Sequence, residues 1–207
     1  AAIPLAEPAC FICNARRASG SICADCRKQA PHLTRVWWAT SYDTADIRNA
    51  LTYCKYRGNR LLSETLASFI VASLKKRAQA HNVRIPANAA LLPVPLHHKK
   101  ERLRGFNQSE LLATHVAKAL SIPLLASTAL QRSKNTAPQA KAGGREKRKE
   151  NVDHAFFVNP EHEHQIQNRT VILVDDIATT GSTLNDAARA LKEAGAKHVW
   201  GLVVAKG

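Results

Sequence analysis

The sequence predicts an α/β fold in which helices flank a parallel sheet, preceded by a small cysteine-rich module. Three observations predict it. Short apolar runs alternate with amphipathic helical patterns along most of the chain. The run Val171–Val174 is continuously apolar, as in a strand that is buried on both faces. Four cysteines lie close together near the start. We expect the module to span residues 1–33 and the α/β domain residues 34–207, a length that suits one domain with an appendage.

The spacing of apolar residues gives the expected order of the elements. We predict strands at Val36–Tyr42, Ala89–Val94, Val171–Val174 and His198–Ala205, and helices at Asp46–Tyr56, Leu61–Ala80, Asn107–Leu120 and Ser182–Ala194. Residues 97–106 are expected to form a basic loop. Residues 131–150 are rich in Lys and Arg and nearly free of apolar side chains, which predicts a mobile surface arm. A sheet of this kind binds its ligands beyond the carboxyl ends of the strands.

The chain is strongly basic, with a formal net charge of +14 and an isoelectric point near 10.0. Such a surface attracts polyanions, and both a phosphorylated ligand and nucleic acid remain open as partners. No stretch approaches the ~20 apolar residues that cross a bilayer, so we expect no membrane span. The residues before Cys10 lack the basic start and apolar core of a secretory signal, which makes the cytoplasm the expected location.

Two CxxC pairs near the start predict a metal site. Cys10 and Cys13 form the first pair, Cys23 and Cys26 the second, and nine residues separate the pairs. Four thiolates in two such turns suit tetrahedral Zn²⁺, which would organise a segment too small for its own core. Two disulfides are the alternative, and the missing export signal favours zinc. Four sulfur ligands leave no position for water, so the zinc would be structural.

The segment from Val171 to Thr183 predicts a ribose-phosphate site. Asp175 and Asp176 end a buried strand, and their carboxylates can accept hydrogen bonds from ribose hydroxyls and help to hold Mg²⁺. Small and hydroxyl residues then lead into a helix, whose N-terminal amides bind phosphate. The expected phosphate contacts are Ala178, Thr179, Thr180, Gly181, Ser182 and Thr183. The plainer alternative is a pair of solvated aspartates before a helix cap, although two acids at a buried strand end are costly without a partner.

This segment resembles the PRPP signature of type I phosphoribosyltransferases. Further similarity lies in the strings CKYRG from Cys54, PVP from Pro93 and RGFNQS from Arg104, and in polar positions between Thr136 and Asn151. Together these segments resemble the ComF and GntX family of phosphoribosyltransferase-like proteins. The resemblance implies a type I phosphoribosyltransferase-like sheet, a zinc finger at the N-terminus and a part in DNA uptake during natural competence. It departs at Thr179, where purine-salvage members of the superfamily carry an acidic residue, which argues against base salvage.

The resemblance also assigns expected roles to the loops. A pyrophosphate-binding loop is expected at Val94, Pro95, Leu96 and His97, with Lys99 and Arg104 as further candidates for pyrophosphate or a nucleic-acid backbone. The arm resembles the flexible loop that closes over PRPP in transferases, with Thr136, Gln139, Arg145 and Arg148 as its candidate residues. A nucleic-acid contact is the alternative for this arm.

Two functions follow as expectations. The first is a ComF-like protein that binds PRPP or a related phosphoribosyl ligand with Mg²⁺, handles single-stranded DNA in natural transformation and has DNA-uptake proteins as partners. The second is an active PRPP-dependent phosphoribosyltransferase whose acceptor the sequence does not identify.

Overall fold

The structure is a computed structural model that describes residues 3–56, 60–132 and 154–207. The four candidate residues of the arm, Thr136, Gln139, Arg145 and Arg148, lie outside the described residues. Arg57 and Gly58 of the CKYRG string also lie outside the described residues.

The described chain alternates strands and helices in the order that the apolar pattern predicts. The strands are β1 (Arg35–Ser41), β2 (Ala89–Pro93), β3 (Leu130–Arg132), β4 (Phe156–Val158), β5 (Thr170–Ala178) and β6 (His198–Lys206). The α-helices are α1 (Ala45–Tyr56), α2 (Arg60–His81), α3 (His98–Arg104), α4 (Gln108–Leu120) and α5 (Ser182–Glu193). Short 3-10 helices lie at Asp25–Lys28, Ser127–Ala129 and Pro160–Gln165.

The main sheet has four strands in the order β1-β6-β5-β2, and its three pairings are parallel. Strand β5 therefore lies between β6 and β2, which explains the unbroken apolar run Val171–Val174 within it. Its pairing with β6 continues to its last residue, where Ala178 faces Lys206. Strands β3 and β4 form a separate antiparallel pair. The predicted α/β class with a parallel sheet and flanking helices is confirmed.

Each face of the sheet has its own hydrophobic core. On one face, Leu51, Ile70 and Leu112 of α1, α2 and α4 pack against the sheet. The other face carries α5 together with the cysteine-rich segment, and here Phe11 and Leu33 belong to the same buried cluster as the sheet. Full burial of a side chain of this size stabilises the fold by about 1.5–3 kcal/mol. The N-terminal segment thus shares its core with the sheet, and the division at residue 33 stays a prediction.

The predicted basic loop at residues 97–106 is wrong, because residues 98–104 form helix α3. The His97 side chain caps this helix by accepting a hydrogen bond from Lys99 N at 3.2 Å. Gly105 ends it with a φ of 76°, a left-handed conformation that glycine adopts readily. The helix buries none of its residues, so it leaves no apolar periodicity in the sequence.

Two further boundaries differ from the prediction. The arm was expected from residue 131, but Gln131 and Arg132 pair with β4 as part of β3. Strand β5 was expected to end at Val174, but it continues to Ala178 because β6 extends alongside it. Asp175 and Asp176 therefore lie inside the strand and not after it. Within the described ranges, no helix is long and apolar enough to cross a membrane.

Candidate functional site

The two acids of β5 are held by side chains from two different helices. Ser109, in the first turn of α4, donates a hydrogen bond from Oγ to Asp175 Oδ1 at 2.8 Å. The same oxygen accepts the backbone N–H of Asp176 at 2.9 Å. Lys55, near the end of α1, places Nζ 2.8 Å from Asp176 Oδ2. The carboxylates are thus fixed in position, one by a hydroxyl and one by a cation.

The proximity of these acids changes their acid–base behaviour. Burial and then the neighbouring charge of Asp176 raise the pKa of Asp175 to about 7, against the opposing effects of Ser109, the Asp176 amide and Lys55. Asp175 therefore changes its charge near neutral pH. A bound cation or ribose hydroxyl would favour the ionised form.

The loop after β5 forms a small cleft in front of these acids. Gly181 caps α5 with a φ of 77° and no side-chain hydrogen bond, as expected where the chain turns tightly into a helix. Thr180 Oγ1 accepts the N–H of Ser182 at 3.3 Å and donates to Ser182 Oγ at 3.1 Å. The cleft is about 50 Å³ and is lined by Asp175 and residues 177–184. Since one water needs about 10–15 Å³, this space suits a single phosphate-sized group.

The cleft brings together seven of the eight residues that the sequence analysis selected for the ribose-phosphate site. Asp175 and the loop residues Ala178, Thr179, Thr180, Gly181, Ser182 and Thr183 all line it. Asp176 is 6% exposed and contacts Lys55 instead. A larger cavity of about 470 Å³ lies beside the chain segments that precede β2, against Trp37 and Ile85. Because ligands of parallel sheets bind at the carboxyl ends of the strands, we take the Asp175 cleft as the candidate site.

In the segment expected to bind pyrophosphate, several polar groups already form hydrogen bonds within the fold. Val94 donates its N–H to Val174 O at 2.9 Å and accepts the side-chain N–H of Asn107 at 3.1 Å. Pro95 and Leu96 are half-buried, and His97 is buried as the cap of α3. Asn107 also caps α4 by accepting the N–H of Ser109 at 3.0 Å. This segment therefore connects β2 to the N-termini of α3 and α4, next to Asp175.

Four basic side chains interact electrostatically beside the acids, and we call them the cationic group. Its members are Lys55, Lys100, Arg104 and Arg132. Burial, followed by the positive charges of the other three, lowers the pKa of Lys100. Burial also lowers the pKa of Arg132, although Asp175 acts in the opposite direction. Arg104 additionally donates from Nη1 to Gln108 Oε1 at 3.0 Å. Lys99, by contrast, is exposed on α3.

Sequence reasoning assigned no role at this site to three of these residues. Arg132 was placed in the arm, and Lys55 and Ser109 were quoted only within the CKYRG and RGFNQS strings. Ser109 lies 66 residues from its partner Asp175, so no local pattern reveals their contact. The only local signal was the string itself, in which Asn107 precedes a helical pattern as an N-cap.

The four cysteines of the CxxC pairs form a compact cluster. Their ligand atoms all lie within 4.8 Å of one another, and Cys23 Sγ lies 3.8 Å from Cys10 Sγ and 3.7 Å from Cys13 Sγ. Sulfurs that bind one tetrahedral zinc at ~2.3 Å are about 3.8 Å apart, whereas disulfide sulfurs are bonded at ~2.05 Å. All four thiols are free in the structure. The donor set therefore fits a thiolate-binding metal such as zinc, and the disulfide alternative does not match.

The surroundings of the cluster shift the pKa of two of its thiols in opposite directions. Burial acts to raise the pKa of Cys10, but hydrogen bonds from the backbone at Cys13, Cys23 and Ile12 lower it to about 6. The side chain of Cys23, with burial and the other two thiols, raises the pKa of Cys26 to about 12. Four thiolates so close together repel one another unless a cation neutralises them.

Comparisons with known proteins identify the family of this chain. The phosphoribosyl transferase domain model matches residues 107–206, a range that includes Ser109, the two acids and the loop at residues 178–183. Competence protein F of Haemophilus influenzae is 30% identical over 182 residues, which cover 87% of this chain and 77% of that protein. Competence protein ComFC of Bacillus subtilis is 28% identical over 205 residues, covering 91% and 80%. The DNA utilization protein YhgH of Escherichia coli K12 is 27% identical over 177 residues, covering 86% and 74%. The chain therefore belongs to the ComF family of phosphoribosyltransferase-like proteins.

Proposed function

We propose that this chain is a competence protein that binds PRPP or a related phosphoribosyl ligand with Mg²⁺ and handles single-stranded DNA during natural transformation. The observation that carries the proposal is the cleft in which Asp175 meets the N-terminus of α5. A carboxylate for the ribose and amides for the phosphate lie at one strand end, where ligands of such sheets bind.

Each part of the ligand has a candidate partner. The amides and hydroxyls of Thr179–Thr183 hold the phosphate, and Asp175 and Asp176 accept hydrogen bonds from the ribose and help to hold Mg²⁺. The cationic group attracts the pyrophosphate, with Lys99 and the Val94–His97 segment at its edge. Val94 uses its own N–H and C=O within the fold and His97 is buried as the cap of α3, so Lys99 and Arg104 are the better candidates in this region. The arm residues Thr136, Gln139, Arg145 and Arg148 close over the ligand in this proposal.

The four cysteines hold zinc in this proposal. The metal has a structural role, because four sulfurs complete its coordination. The proposal places the protein in the cytoplasm, a reducing compartment in which free thiols persist.

The DNA part of the proposal depends on charge and on the relatives. The chain carries a formal net charge of +14, and α3 presents His98, Lys99, Lys100, Arg102 and Arg104 with none of its residues buried. Two of the relatives are named competence proteins and a third is named a DNA utilization protein. DNA-uptake proteins are the expected protein partners.

Calorimetric titration with PRPP in excess MgCl₂ tests the ligand. We expect binding to the parent protein and loss of at least tenfold in affinity for the Asp175→Asn/Asp176→Asn double variant, since both ribose acceptors are changed. The Asp43→Asn/Asp46→Asn variant removes the same charge from exposed positions and is the matched control. Equal affinity of the two double variants would show that PRPP does not use these acids.

A second measurement separates binding from transfer. Pyrophosphate release is followed with PRPP, Mg²⁺ and a panel of bases and amines. Turnover that disappears in the Asp175→Asn/Asp176→Asn variant would identify a phosphoribosyltransferase, and no release alongside intact PRPP binding supports a ligand-binding role. DNA handling is tested separately by fluorescence anisotropy with single-stranded DNA. An affinity for single-stranded DNA that does not weaken with rising salt concentration would contradict the proposed DNA handling.

A further inference from the structure

The segment Cys10–Cys26, which we call the metal module, packs against Gly181. Gly181 lies in the loop at residues 178–183, which we call the phosphate loop. Phe11, between the first two cysteines, is 1% exposed. A methyl carbon placed on Gly181 would lie 2.9 Å from Phe11 Cε1, which is closer than carbon atoms pack. Gly181 has a φ of 77° and is the residue at which the loop turns into α5. The ring of Phe11 thus supports the backbone at the point from which the helix amides project.

One more contact connects the N-terminal segment to the first turn of α5, and another connects it to the end of β6, where Lys206 pairs with Ala178. The backbone N–H of His32 donates to Asn185 Oδ1 at 3.2 Å, and Asn185 in turn donates its N–H to Gly181 O at 2.8 Å. Lys206 hydrogen bonds through Nζ to Asn14 Oδ1, and its Nζ lies 5.1 Å from the centre of the Phe11 ring. The first turn of α5 is therefore contacted from the side of the cysteines at more than one point.

We infer that metal binding by the four cysteines and anion binding by the phosphate loop are coupled through Phe11, which acts as a positioning residue. The inference depends on the proposed function, because it concerns the same PRPP site. Phe11 belongs to the Cys10–Cys13 turn, and such turns take a fixed conformation when their metal is bound. With the turn fixed, the ring fixes Gly181, and the amides are pre-organised for phosphate. Without the metal, the loop must be ordered by the ligand, which lowers affinity.

The coupling is tested with Phe11→Ala, which keeps all four cysteines. We expect this variant to retain one zinc per chain and a cooperative thermal transition, but to bind PRPP with Mg²⁺ at least fivefold more weakly, since coupled sites typically change affinity about 5–150-fold. Ile12→Ala is the matched control, because it truncates the next side chain of the same turn. Phe11→Leu is expected to restore part of the affinity. Equal PRPP affinity of Phe11→Ala and Ile12→Ala would overturn the inference.

Thermodynamic linkage between zinc binding and PRPP binding gives a second test, and a purely structural role of Phe11 would not affect its result. If zinc strengthens PRPP binding, PRPP must strengthen zinc binding by the same factor. Zinc affinity is measured by competition with a chromophoric chelator, with and without saturating PRPP and Mg²⁺. We expect PRPP to raise the zinc affinity of the parent and to have no such effect in Phe11→Ala. A parent that binds PRPP but keeps its zinc affinity unchanged would overturn the coupling alone, whereas a zinc-loaded parent that does not bind PRPP would overturn the proposed function as well.

Discussion

Lys55 Nζ lies 2.8 Å from Asp176 Oδ2, which makes the last turn of α1 part of the acidic site. The Asp176 side chain is 8% exposed and that of Lys55 is 20% exposed. A carboxylate this buried needs a partner of opposite charge. In the structure Lys55 supplies that charge, and the Mg²⁺ of the proposed function would share or replace it.

Removal of the Lys55 charge is expected to destabilise the protein. Lys55→Met keeps most of the apolar stem but leaves Asp176 without its cation. Loss of one partner from a buried pair costs ~3–5 kcal/mol, and the partial exposure of Lys55 reduces the expected loss to about 1–3 kcal/mol. Urea denaturation of the parent and the variant measures this loss in the free energy of unfolding. Lys76→Met is the control, because Lys76 pairs with Glu7 at the surface and such pairs contribute less than about 1 kcal/mol. Equal losses for the two variants would contradict the importance of the Asp176 pair.

Asp175 is expected to make stability depend on pH in a defined direction. Burial and the charge of Asp176 raise its pKa from 3.8 to about 7, so the folded state holds a proton that the unfolded state has released. The contribution of Asp175 to the free energy of unfolding is therefore complete below about pH 4 and is lost as the pH rises through about 7. The parent should lose stability over this window.

Asp175→Asn isolates this effect from the other titrating groups. The amide oxygen of Asn can still accept the hydrogen bonds from Ser109 Oγ and the backbone N–H of residue 176, while the ionisation is removed. The variant should therefore gain stability relative to the parent between pH 5 and pH 8, measured by urea denaturation at both values. A constant difference between the two proteins across this range would show that Asp175 does not titrate there.

The sequence predicted this fold well because its strands are apolar on both faces and its helices have one apolar face, and the sheet buries both patterns. The acids and the loop that line the cleft could also be selected from the sequence, since Asp175 through Thr183 are continuous in the chain. The side chains that contact the two acids could not be predicted from the sequence. Ser109 and Lys55 reach β5 from helices far away in sequence, and α3 buries none of its residues and so has no apolar pattern to detect.

Asp186 of α5 is expected to be essential for anchoring the chain before β4. Its Oδ1 accepts the N–H of His154 at 3.0 Å and its Oδ2 that of Ala155 at 2.9 Å, and Arg189 pairs with it at 3.0 Å. Asp186→Ala removes the carboxylate that accepts these two backbone N–H groups and pairs with Arg189, and it should cost about 2–4 kcal/mol in the free energy of unfolding. Glu193→Ala, which removes the exposed partner of Arg189, should cost less than about 1 kcal/mol. Thermal and urea denaturation compare the two, and a small loss for Asp186→Ala would refute the anchoring role.

Helix α3 is expected to contact single-stranded DNA through its exposed cations. Each phosphate contact contributes about 0.7 to the slope of log affinity against log salt, so Lys99→Gln/Arg102→Gln should flatten that slope by about 1.4. The charge-matched control is Lys75→Gln/Arg84→Gln, which changes two exposed cations at the larger cavity. Anisotropy titrations with an oligonucleotide at several salt concentrations give both slopes. If both variants flatten the slope equally, DNA binding depends only on the overall positive charge of the protein, and α3 is not the DNA-binding surface.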